Sequence, residues 1–95
     1  MIIDINKKLG PFKPVNGIDN GPVTSGGLID SSLYYKQAGF PHCRLHDTNF
    51  PHPREVDIFT IFPNFDADAD DPQSYDFRAT DQYLHEITAT GAEII

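Results

Sequence analysis

The sequence predicts an α/β fold with parallel strands, and three observations carry that prediction. Cys43, Arg44, Leu45 and His46 alternate between apolar and polar side chains, the period-2 pattern of a strand. Tyr83, Leu84 and Ile87 form an apolar stripe at helical spacing, after a long loop. Gly91 then stops the helix, and Ala92-Glu93-Ile94-Ile95 opens as a second strand. A strand, a helix and a strand in succession imply a crossover, and crossovers join parallel strands. Parallel strands are normally covered on both faces, and two of them do not make a stable domain. The expectation is therefore a piece of an α/β domain.

Each element has its local justification. Residues 1–27 are broken by Gly10-Pro11, Pro14, Asn16-Gly17, Asn20-Gly21-Pro22 and Gly26-Gly27, which leave room for short extended pieces such as Ile2-Ile3-Asp4-Ile5 and for no long helix. From Leu28 the pattern reads as a short helix through Leu33, Tyr34 and Tyr35, capped by Asp30 or Ser31. Gly39 fits the left-handed position at its end. The strand at 42–46 follows. Between 48 and 76 the prolines Pro51, Pro53, Pro63 and Pro72 forbid regular ladders, and 56–62 is expected to add a few extended residues. Thr80 is expected to cap the last helix, with Asp81 in its first turn.

Composition narrows the function. The 95 residues carry 14 acidic and 7 basic side chains, a formal charge of −7. That balance argues against nucleic acid or an anionic membrane surface as partner, since phosphates need Lys and Arg. A single cysteine, Cys43, makes no internal disulfide. No 18-residue apolar run is present, and the stretch MIIDINKKLG has no apolar core of signal-peptide length, so a cytoplasmic protein is expected. The Gly-x-Ser-x-Gly elbow, the phosphate-cradling glycine loop and the Cys-x-x-Cys pair are all missing. The three glutamates, Glu55, Glu86 and Glu93, offer no evident catalytic pair.

The tetrad Arg44-Leu45-His46-Asp47 is the most informative feature. At the carboxyl end of a parallel strand, polar groups face the ligand crevice. Arg44 and His46 share a face, with Asp47, Thr48 and Asn49 at the mouth. Such a set donates to and accepts from several hydroxyls at once, which suits a sugar. The plainer reading makes Arg44 an ion-paired sheet residue and His46 a hydrogen-bonded core histidine. A metal site at His42, His46, His52 and Asp47 fits poorly, because His42 and His46 stand about 13 Å apart on a strand. No metal or cofactor is expected. The run 66–71 lacks the glycine and glutamate of a calcium loop and reads as solvated acidic surface. Phe50, Phe59, Phe62 and Phe65 either stack on a sugar or bury the loop against its own domain. Cys43 is expected to be buried, hence no nucleophile.

The segment AGFPHCRLHDTN, followed after the long loop by YDFRATDQYLHEITATGAEII, resembles the amino-terminal part of the family 39-like glycoside hydrolases, the β-xylosidase type of (β/α)8 barrel. Arg44 and His46 match the family's Arg-x-His on its first barrel strand. Tyr75, Phe77 and Asp81 match the entry to its first helix, and Gly91 the exit. The segment VNGIDNGP also resembles what precedes the barrel. The resemblance implies an incomplete TIM-type barrel, with 1–27 as an irregular pre-barrel segment and 28–95 as its start. That start holds the first two parallel strands, one crossover helix and a long βα loop. It also implies retaining chemistry by two glutamates on later strands that this chain does not contain. Arg44 and His46 would line the sugar pocket, with Asp47 and Asn49 assigned by position alone. A carbohydrate is thus the expected partner, and the alternative is a small acidic carbohydrate- or protein-binding module without catalysis.

Overall fold

The computed structural model describes residues 4–24, 29–46, 48 and 54–95. Within them runs one three-stranded sheet of β1 (Ile18–Asp19), β2 (His42–Arg44) and β3 (Glu93–Ile94), in that spatial order and parallel throughout. The helix α1 (Ser32–Ala38) lies between β1 and β2 in sequence. A helical turn α2 (Ile58–Ile61) and the helix α3 (Arg78–Thr88) lie between β2 and β3. The parallel α/β class and the crossover helix are as expected. The strand count is corrected from two to three, because Ile18–Asp19, in the stretch read as irregular, pairs with Cys43 and Arg44. Two residues between breakers are too few to show a period of 2, so sequence pattern could not reveal this strand.

The register determines what each face presents. Ile18, Cys43 and Ile94 are neighbours across the sheet on one face, and Asp19 with Arg44, and His42 with Glu93, are neighbours on the other. The Cys43 face is covered. Cys43, Tyr83, Ile87 and Ala92 form the buried core, with Ile18, Leu45, Val56 and Ile94 packed against it. The stripe of α3 is the expected one, with Tyr83 and Ile87 buried, Leu84 half-buried and Thr80 added at its start.

Two helix boundaries differ from the sequence reading. Residues 78 and 79 are already helical, and Thr80 sits inside α3 instead of capping it. The Asp76 carboxylate turns the chain into the helix by accepting from the Arg78 amide at 3.1 Å. The Thr80 hydroxyl instead donates to the Glu55 carbonyl, tying the long loop to the helix. Helix α1 starts at Ser32, preceded by an Asp30 carboxylate that accepts from the Ser32 amide at 2.9 Å. Its end is as expected: Gly39 adopts φ 62° and ψ 44°, and its amide donates to the Tyr35 and Lys36 carbonyls. Gly91, at φ 96°, likewise carries the turn from α3 into β3.

The expected extended stretch at 56–62 is a helical turn, because the Asp57 carbonyl accepts from the Thr60 and Ile61 amides at 3.0 and 3.1 Å. Phe62 is buried beside Phe65 and Tyr75, with ring centroids 5.9 and 4.9 Å away. Burial of the loop against itself is therefore the outcome for Phe62. Phe59 remains partly exposed under the Arg54 guanidinium, which lies 5.2 Å from the ring centroid. Phe50 lies outside the described residues.

Candidate functional site

The open face of the sheet holds a depression of about 430 Å³ lined by Gly17, Ile18, Asp19, His42, Arg44 and Ile95. Its volume falls within the ordinary range for small-ligand sites, roughly 300–1,000 Å³. The register explains its lining. Residues 42 and 44 are on the same side of β2, the parallel strands place the carboxylates of Asp19 beside Arg44 and of Glu93 beside His42, and Ile95 continues β3 past Arg44. His42 Nδ1 stands 3.8 Å from Glu93 Oε2. The absence of a side chain at Gly17 leaves floor space, as a Cβ there would meet the His42 carbonyl oxygen at 3.4 Å.

The carboxyl end of the sheet is organised by Asn20. Its φ of 62° is one that asparagine tolerates better than most residues. There its amide donates to the Arg44 carbonyl at 2.8 Å, and its side-chain oxygen accepts from the His46 amide at 3.4 Å. The chain leaving β2 is thereby held against the chain leaving β1, which fixes the backbone on both sides of Leu45. The next residue, Gly21, is gripped by two tyrosines. Its amide donates to the Tyr83 hydroxyl at 2.8 Å, and the Tyr35 hydroxyl donates to its carbonyl at 3.1 Å. Burial pushes both phenols above their ordinary pKa, so both hydroxyls keep their protons at neutral pH.

Of the four site residues expected from sequence, Arg44 lines the depression. His46 is exposed at the carboxyl end and is not among the lining residues. Asp47 and Asn49 lie outside the described residues, as does His52. Thr48, expected at the mouth, is buried, and its carbonyl accepts from the Arg54 amide at 3.1 Å. Sequence reading missed Asp19, Gly17 and Ile95 as lining residues, and weighed His42 only as a metal ligand. The parity rule that paired Arg44 with His46 would have found His42, since 42 and 44 also share a face.

Cys43 is 1% exposed, and burial pushes its thiol up, with Asp19 adding to the effect, so it stays a neutral core side chain. Among the described residues no three His, Cys, Asp or Glu side chains gather as a metal-binding group. In the acidic run, carboxylates cap loop turns: Asp68 accepts from the Asp70 amide and Asp71 from the Gln73 amide, both at 2.9 Å. No helix among the described residues is long and apolar enough to cross a membrane.

Site and fold together define a parallel α/β chain with one sheet face covered by helix and the other lined by charged and polar side chains. Comparison with family models, curated proteins and solved structures finds no match for this chain.

Proposed function

We propose that this chain is the opening portion of a (β/α)8 glycoside hydrolase of the β-xylosidase type, contributing sugar-binding groups and no catalytic glutamate. Arg44 donates to sugar hydroxyls, Asp19 accepts from them, and His42 does either according to its tautomer. His46, Asp47 and Asn49 extend this set at the carboxyl end, and cytoplasmic placement belongs to the same proposal. The observation that carries the reading is the row Asp19, Arg44 and His42 on the uncovered face of a parallel sheet.

Two features of the architecture agree with a barrel. The three strands follow one another in space in their sequence order, as successive strands of a barrel do. Tyr35 of α1 and Tyr83 of α3 converge on the same glycine, so both helices gather on the Cys43 side and leave the Arg44 face clear. In a barrel that clear face becomes the interior.

The test is calorimetric titration of the 95-residue chain with xylose, together with an aryl β-xyloside hydrolysis assay. Millimolar binding that Arg44→Ala weakens about tenfold or more supports the reading, a loss of about 1.4 kcal/mol or more for a charged hydrogen-bonding group. Turnover of the xyloside well above background overturns the absence of catalytic carboxylates. Xylose binding unchanged by Arg44→Ala overturns the site.

A further inference from the structure

The long loop carries a second feature that the Arg44 site does not use. Ala69, Asp70, Pro72, Tyr75 and Phe77 line a separate depression of about 440 Å³. Two of these residues are aromatic, and their rings lie nearly parallel, with 8° between planes and centroids 6.0 Å apart. Phe77 is 48% exposed despite its size. The surrounding loop is braced from within. The Tyr75 hydroxyl donates to the Ala69 carbonyl at 2.9 Å, the Ser74 hydroxyl donates to the Asp68 carbonyl at 2.6 Å, and the Tyr75 ring leans on buried Phe62. Asp68 and Asp71 direct their carboxylates to backbone amides of the loop, whereas the Asp70 carboxylate makes no such bond among the described residues.

We propose that Tyr75, Phe77 and Asp70 form an outer carbohydrate subsite, so that the ligand class is a short oligosaccharide and not a free monosaccharide. This rests on the sugar reading of the Arg44 face and extends it. A pyranose has a face of C–H groups ringed by hydroxyls. The electron-rich faces of parallel aromatic rings attract that C–H face. A carboxylate at the ring edge accepts hydroxyl hydrogen bonds, which are strengthened by its charge. The bracing of the loop means that little ordering is lost on binding. Position agrees with this role. A helix joining two parallel strands runs back against them, so the start of α3, where Phe77 sits, lies at the carboxyl ends of β2 and β3. In this arrangement a chain of sugar units would leave the Arg44 face at that end to reach the loop.

The experiment is an amide NMR titration of the 95-residue chain with xylose and with xylotriose, repeated with Phe77→Ala and Asp70→Ala. Xylotriose is expected to shift amides in 69–77 where xylose does not. Each variant is expected to weaken xylotriose binding about threefold or more while leaving xylose binding unchanged. Asp70 is exposed, so its variant stays informative if Phe77→Ala disturbs the loop. Shifts confined to the Arg44 face with both sugars overturn the outer subsite and leave the Arg44 reading standing. Shifts confined to 69–77 support the subsite and overturn the Arg44 reading. Loop shifts produced by a lysine amide and not by xylotriose, or no shifts at all, overturn the carbohydrate assignment.

Discussion

At Gly21 two tyrosine hydroxyls hold one residue through its amide and its carbonyl, and the ring of Tyr83 and the side chain of Ile87 pack directly over its Cα. A Cβ there would stand 2.4 Å from Ile87 Cγ1 and 3.0 Å from the Tyr83 ring. Gly21→Ala is therefore expected to destabilise the fold by about 1–3 kcal/mol through overpacking. Gly17→Ala, meeting nothing nearer than the His42 carbonyl at 3.4 Å, should cost far less. Chemical denaturation of both variants checks the contrast. Asp76 offers a residue-scale test of pH. The Arg78 guanidinium donates to its carboxylate at 2.8 and 2.5 Å, and that bond together with the Arg78 amide holds its pKa down to about 2. Because the folded value lies below the ordinary one, the stabilisation is present above about pH 4 and is lost as pH falls towards 2. Carbon-detected titration of Asp76 should show the low midpoint, and Arg78→Ala should return it towards the ordinary value of 3.8.

Helix α3 is the element whose placement decides the rest, because its buried stripe covers the sheet and leaves the opposite face open. Ile87 is 1% exposed in the centre of the core, and Ile87→Ala should cost about 2–5 kcal/mol, measured by denaturation midpoint. Thr80→Val removes the hydroxyl that joins α3 to the Glu55 carbonyl, and is expected to cost about 1 kcal/mol. It should also speed hydrogen exchange in 54–57 ahead of the sheet. These two residues also show what sequence reveals and what it hides. Ile87 was legible because spacing at three and four residues repeats along a helix whatever it packs against. Thr80 read as a cap because threonine before an acidic residue usually is one. Its tertiary partner, 25 positions earlier, leaves no local signal. The same holds at the site. Arg44 was legible from strand parity, while Asp19 joins it only through the pairing of β1 with β2, a long-range contact from a two-residue strand.

On the scale of the whole molecule, the chain extends 63 × 32 × 21 Å with a radius of gyration of 18.4 Å, against about 12 Å for a compact chain of this length. Ile5, Leu9, Phe12 and Val15 are all more than three-quarters exposed, and among the described residues the buried cluster against the sheet is Cys43, Tyr83, Ile87 and Ala92, on one face. Such a one-sided core implies modest cooperativity. A broad thermal transition with a low enthalpy, and binding of a hydrophobic dye before unfolding, are expected by calorimetry and fluorescence. The open face that weakens the fold is also the face proposed to receive the sugar, so ligand should raise and sharpen the transition. The account rests on which sheet face takes the sugar, and intermolecular NOEs between xylose protons and the 95-residue chain test this most directly. Contacts to the side chains of His42, Arg44 and Ile95 are predicted, whereas contacts confined to residues around Cys43, or none at saturating xylose, would contradict it.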